Sequence, residues 1–226
     1  SSSLQNVIQT HSIKRLGFEG ADLSFLEYQT LAKKIGESIL SPIDAVTSEI
    51  RIKKSPSEVA AIANACALGD KAFSFLLTQL QEGITEKEVA LAYEIFVKKQ
   101  GATLSFDTIV AFGSNGAFPH HIPTDKKLTK QNFIVLDFGV KINGYCSDMT
   151  RTVFLGKADA KQKRLYQTVL DAQQKALDYI SSAKTISAKK ADTIAREHIT
   201  KQGYPTMPHS LGHGIGLLVH ERPTLS

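Results

Sequence analysis

The segment FIVLDFGVKINGYCSDMTRTVFL, residues 133–155, constrains the fold of this chain more than any other. Asn143-Gly144 lies between two runs rich in β-branched and aromatic residues, and Asn-Gly is the pair that a two-residue type I′ hairpin turn demands. Placing the turn there sets the register. Ile142 faces Tyr145, Gly139 faces Asp148, and Asp137 faces Thr150. Side chains alternate along a strand, so Asp137 and Asp148 fall on one face. As diagonal neighbours they stand about 7–8 Å apart at the backbone, within reach of each other through their side chains.

Ile134, Leu136 and Phe138 fill one face of the first strand, and Phe133, Val135 and Asp137 lie on the other. Both faces are therefore expected to be at least partly buried. Two carboxylates buried side by side repel and take up protons unless a cation neutralises them. One divalent ion, or a pair about 3.5–4 Å apart, supplies that charge. The bland alternative is a solvated face on which the aspartates only confer solubility. Cys146 shares the parity of Asp148, but a small buried residue is the preferred reading over a ligand.

Five of the seven histidines gather in two loop-like stretches. His120 and His121 lie in FPHHIP, His209 and His213 lie in PHSLGHGIG, and His220 follows. His11 and His198 sit in polar contexts and are expected at the surface. Glycines on both sides of His213 let another group approach it closely. His213 and His220 are seven residues apart, so one straight strand would put them on opposite faces and give them different roles unless the glycine-rich run bends. Aspartate with imidazole suits Mn, Fe, Co or Zn better than Ca or Mg.

The rest of the chain frames these motifs. Ser55-Pro56-Ser57-Glu58 and Thr85-Glu86-Lys87-Glu88 are capping boxes that open two helices, the second ending at Gly101. Strand-like sequence fills 102–156, amphipathic helices follow over 159–182 and 187–202, and strand-like sequence resumes at LGHGIGLLVHE. The order is helix pair, sheet, helix pair, and the beginning of a sheet. If the halves echo each other, roughly thirty residues of the second sheet are expected beyond Ser226. Residues 1–54 alternate short strands and helices and form a separate N-terminal piece, with 55–226 as the main domain.

Composition narrows the classes. Two cysteines 80 residues apart, without a CxxC, favour a reducing, cytoplasmic setting over a disulfide framework or zinc finger. The net charge of +5 comes from basic pairs scattered among acidic neighbours, which disfavours a nucleic-acid partner. The first residues lack the apolar core of a signal peptide, and no uninterrupted apolar run approaches 18 residues, so a membrane is not an expected partner.

Three motifs in order resemble the pita-bread metallopeptidases, a family that includes Xaa-Pro dipeptidase (prolidase), Xaa-Pro aminopeptidase and methionine aminopeptidase. They are Phe118-Pro119-His120-His121 with Asp125-Lys126; Leu136-Asp137-Phe138-Gly139 with Gly144 to Thr152; and His209 to Gly216 with Val219-His220-Glu221-Arg222-Pro223. The resemblance covers residues 55 to 226. It implies an α+β pita-bread (creatinase/aminopeptidase) fold with pseudo-twofold helix-pair-plus-sheet halves. Residues 1–54 resemble the C-terminal part of a creatinase-like α/β domain, which favours the Xaa-Pro branch over simple methionine aminopeptidases.

Carried over residue by residue, the resemblance makes Asp137, Asp148 and His213 ligands of two divalent ions, with Mn2+ foremost and Co2+, Zn2+ or Fe2+ as alternatives. His120 and His220 would contact substrate or move protons, and His209 would shape the pocket near proline. The implied activity is hydrolysis of Xaa-Pro dipeptides or short peptides by a metal-activated water, in a homodimeric full-length protein. Two further glutamate ligands are expected beyond Ser226, so the 226 residues alone are expected to bind metal weakly and hydrolyse poorly. The alternatives are a catalytically inactive pita-bread binding protein, a methionine aminopeptidase-like enzyme, and creatinase-like hydrolysis without metal.

Overall fold

The computed structural model describes residues 2–226, which divide after Lys53 into two compact units. In the first, α1 (Ser2–Thr10), β1 (Leu16–Phe18), α2 (Phe25–Ile35), β2 (Leu40–Pro42) and α3 (Asp44–Ile52) alternate, and β1 and β2 pair in parallel. Ser24 and Glu27 close a capping box at the start of α2. Helical apolar spacing in the sequence points to one helix across residues 23–40. The helix ends instead at Ile35, because Gly36 takes a φ of 91°, and the chain turns into β2.

The second unit begins with the two capped helices that the sequence announces. α4 (Pro56–Gln79) starts on Ser55, with Pro56 in its first turn and Glu58 completing the box. α5 (Glu86–Lys99) starts in the same way on Thr85 and Glu88. Then follow β3 (Thr103–Leu104), β4 (Ile109–Phe112), β5 (Asn132–Phe138), β6 (Val140–Ile142), β7 (Tyr145–Cys146) and β8 (Met149–Leu155). Strands β4, β5 and β8 form one antiparallel sheet with β5 in the middle, and β3, β6 and β7 form another.

The hairpin has the register that its turn dictates. Ile142 pairs with Tyr145 and Asp137 with Thr150, while Asn143 and Gly144 take φ values of 52° and 83°. Ile134, Leu136 and Phe138 are buried on one face of β5; Phe133, Val135 and Asp137 on the other are partly exposed. The buried face packs on α4 and α5 through Leu68, Ala72, Leu76, Val89, Tyr93 and Val97. Burying a leucine, valine or phenylalanine of this kind contributes about 1.5–3 kcal/mol. By length and mean hydropathy (1.3), α4 could cross a membrane; here its Ala65, Leu68, Ala72 and Leu76 lie in the core.

A second helix pair, α6 (Ala160–Ser182) and α7 (Ala188–Lys201), packs through Ala172, Ala176, Ala195 and Ile199. Asp159 and Ser187 cap their N-termini. His198 on α7 departs from its expected surface position. It is half-buried, and among the described residues its enclosed Nε2 has no hydrogen-bond partner. The strand expected at LGHGIGLLVHE is broken into β9 (Gly212–Gly214) and β10 (Glu221–Leu225), which pair antiparallel.

Candidate metal centre

The hairpin supplies two carboxylates. Asp137 lies on β5 opposite Thr150 of β8, whose Oγ1 donates to Asp137 Oδ1 at 2.8 Å. Burial raises the Asp137 carboxyl above the usual carboxylate range. The Thr150 hydrogen bond opposes that shift, the Asp148 charge adds to it, and the His120 and His213 imidazoles draw it back down. Asp148 stands between β7 and β8. It too is raised by burial, with His213 and then His220 opposing the shift. A place that penalises two anions, eased by one hydroxyl and by imidazoles, is a place that a cation would relieve.

The glycine-histidine segment supplies the imidazoles. After β9 the chain bends through residues 216–220 and returns as β10, with Gly214 opposite Glu221 and His213 opposite Thr224. The glycine-rich run thus bends, the case in which the two histidines need not lie on opposite faces. His213 and His220 stack edge to face, their ring centroids 4.3 Å apart at 62°. His213 Nε2 lies 3.4 Å from Asp148 Oδ2. One ligand atom each from Asp148, His213 and His220 falls within a 4.8 Å span. His213 Nδ1 is 3.0 Å from the Gly214 carbonyl, which can only accept, so Nδ1 is the donor there and Nε2 is the ring nitrogen turned toward the aspartate.

The bend is itself built. The Gly216 amide donates to the Leu218 carbonyl at 3.0 Å, and the Leu218 amide donates to Glu221 Oε1 at 3.0 Å. Glu221 Oε2 pairs with Lys54 Nζ at 3.1 Å, both side chains largely buried. The Cys146 amide donates to the Gly216 carbonyl at 2.8 Å, and Cys146 Sγ lies 3.7 Å from the Leu217 carbonyl. Cys146 is thus a small buried residue that docks the glycine-rich bend onto the aspartate hairpin.

Three of the six expected site residues come together, Asp148, His213 and His220, and Asp137 feels the charges of Asp148 and His213. His120 is exposed in the loop after β4, and its charge reaches Asp137. His209 stands outside the Asp148–His213–His220 group; it is exposed, its Nδ1 is 2.8 Å from the Ser210 carbonyl, and its own carbonyl accepts from Arg196. Arg196 is held by Asp192 at 2.6 Å, and Asp192 also accepts from the Leu211 amide at 3.1 Å. Sequence reasoning passes over Asp192, Arg196 and Glu86. Asp192 and Arg196 are an ordinary i, i+4 pair, and Glu86 is an ordinary first-turn acid, so no local pattern marks them.

The residues from Ala60 onward match the family model described as Metallopeptidase family M24, over 60–226. The chain belongs to that family. Among its relatives, the uncharacterized peptidase YqhT of Bacillus subtilis (strain 168) is 38% identical over 223 residues, covering 98% of this chain and 63% of its own. A Xaa-Pro dipeptidase of Pyrococcus horikoshii is 40% identical over 216 residues, covering 95% of this chain and 61% of its own. The crystal structure of an X-Pro aminopeptidase from Thermotoga maritima MSB8 superposes with a TM-score of 0.91 at 35% identity, across 99% of this chain and 64% of that one.

The M24 chain described here therefore spans just under two thirds of the length of those relatives, and its fold is the α+β pita-bread fold. Carboxylate oxygens beside imidazole nitrogens, with the carboxylates penalised by burial, form a partial donor set that fits a divalent first-row metal.

Proposed function

We propose that the full-length protein is a dinuclear metallopeptidase that hydrolyses the Xaa-Pro bond of dipeptides or short peptides. The observation that carries this reading is the convergence of Asp148, His213 and His220, with the desolvated Asp137 beside them. Asp137, Asp148 and His213 would hold the ions, Mn2+ foremost. When bound, the metal would neutralise the carboxylates, lower the pKa of a water and polarise the scissile carbonyl.

The chain's own groups do the rest. Thr150 holds the Asp137 carboxylate by its Oδ1, and Gly214 fixes the His213 tautomer. His220 and His120 are assigned to contacting substrate and moving protons, and His209 to shaping the wall near proline. The resemblance and the Xaa-Pro names of relatives on two sides of the family support the substrate class. The same reading carries a cytoplasmic homodimer.

Metal analysis of the full-length gene product, coupled to Xaa-Pro and Xaa-Ala dipeptide assays, tests the proposal. Bound Mn2+ with hydrolysis confined to the Xaa-Pro substrate is the expected result. Stoichiometric metal without Xaa-Pro hydrolysis would favour the binding-protein alternative.

A further inference from the structure

Glu86 opens α5 with a side chain that is fully buried, although it carries a charge. Five donors converge on it. The Phe112 amide and Asn115 Nδ2 reach Oε1, each at 2.8 Å. His121 Nε2 (2.8 Å), the Thr124 amide (2.9 Å) and Thr124 Oγ1 (2.7 Å) reach Oε2. An ionised carboxylate has about four lone-pair sites, so this one is saturated. Burial alone would push its carboxyl up, but the bonds from His121, Phe112 and Thr124 more than reverse that and hold it at about 2.

The donors come from the beginning, the middle and the end of one segment, residues 112–124, which carries His120. Among the described residues, little else fastens its tip. Phe118 and Ile122 are 65% and 79% exposed, so the segment has few apolar contacts of its own there. Lys126 braces its base, donating to the Phe112 carbonyl at 2.7 Å and approaching Asn115 Oδ1 at 3.3 Å. The adjacent histidines therefore have different tasks. His121 turns inward as a tether on Glu86, while His120 stays exposed and bears electrostatically on Asp137.

We propose that Glu86 is a positioning residue: it fixes the 112–124 segment through His121, Thr124, Asn115 and Phe112 and so presents His120 to the metal centre. The inference rests on the assignment of His120 to substrate contact and proton movement under Proposed function. Glu86 touches no reacting atom in it. A glutamine at this position keeps the shape but turns an NH2 group toward donors, which breaks one side of the tether.

The test is made on full-length protein with E86Q, H120A and the double variant. It reads kcat and KM on a Xaa-Pro dipeptide, Mn2+ affinity, and hydrogen exchange of the amides of residues 113–123. The expected result for E86Q is a loss of kcat of about tenfold or more, Mn2+ affinity within about threefold of wild type, and faster exchange confined to the segment. In the H120A background E86Q should cost almost nothing further. Additive losses, or unchanged exchange in the segment, overturn the proposal.

If E86Q does not fold, T124V and H121F each remove a side-chain donor and should give smaller effects of the same pattern. A wild-type protein without Xaa-Pro hydrolysis would sink the functional reading instead. The exchange data would still decide whether Glu86 holds the segment.

Discussion

His213 and His220 meet edge to face at 4.3 Å although the chain between them runs out and back through a glycine-rich bend. Their meeting depends on Gly216. A Cβ at that position would come within 2.5 Å of Glu221 Oε2 and 2.8 Å of its Cδ. Glu221 cannot simply swing away, because Lys54 and the Leu218 amide hold its carboxylate. Gly216→Ala should therefore displace the bend and weaken Mn2+ binding by about tenfold or more, an effect of the size seen when the supports of metal ligands are lost. Isothermal titration with Mn2+ checks it, and an unchanged affinity would show that the bend does not support the metal-binding group.

Removing the other side of that clamp should act in the same direction. Lys54→Met takes away the ammonium that pairs with a Glu221 side chain only 6% exposed. Breaking one partner of a buried pair costs about 3 kcal/mol. Urea unfolding of the second unit should show a loss of that order. Glu221→Gln, which keeps an oxygen for the Leu218 amide, should lose less.

Thr150→Val isolates the hydrogen bond to Asp137. The two side chains are nearly isosteric, but the hydroxyl that donates to Asp137 Oδ1 at 2.8 Å disappears. That bond opposes the upward push of burial, so the Asp137 carboxyl should rise further and protons should compete better with metal. Mn2+ affinity should fall about tenfold, with the larger loss at the lower pH of a titration series. A loss independent of pH would point to ligand geometry instead.

The turn at Asn143-Gly144 made the hairpin legible, because two residues with positive φ fix every cross-strand pair as far as Asp137 and Thr150. Capping boxes made the helix starts legible for the same reason: the bonds involved lie within four residues. The His213–His220 pairing was not legible from parity, since parity holds only along a strand and β9 stops at Gly214. What bends the chain is a carboxylate at Glu221 held by Lys54, whose position lies 167 residues earlier. Glu86 escaped for a related reason. Its donors are 26 to 38 residues away, and no spacing rule reaches that far.

Acid should expose Glu86 directly. Its folded pKa, about 2, lies below the ordinary 4.5, so its contribution to stability is complete above pH 4.5 and is lost as the pH falls from 4.5 toward 2. The contribution is roughly 3 kcal/mol, taken from the distance between about 2 and 4.5. Denaturant unfolding of wild type between pH 5 and pH 2.5 should show this loss, and E86Q should start less stable at pH 5 and fall less steeply. Parallel curves would mean that the carboxylate is not titrating across this range.

Asp148→Asn separates the needs of folding from those of binding. Burial raises the Asp148 carboxyl, so the charged form is the one that the fold disfavours at neutral pH. An amide of the same shape removes that penalty, and the metal-free variant should be at least as stable as metal-free wild type. Binding should move the other way. Asp148 shares the donor group with His213 and His220, and its loss takes away the anion on which the cation depends. A ligand that binds only the folded state adds about 2.7 kcal/mol at one hundred times its Kd, so Mn2+ should raise the melting temperature of wild type by several degrees. The variant should not respond to Mn2+ at that concentration. The two measurements together test the site, because a purely structural aspartate would lower stability on replacement and leave both proteins equally indifferent to the metal.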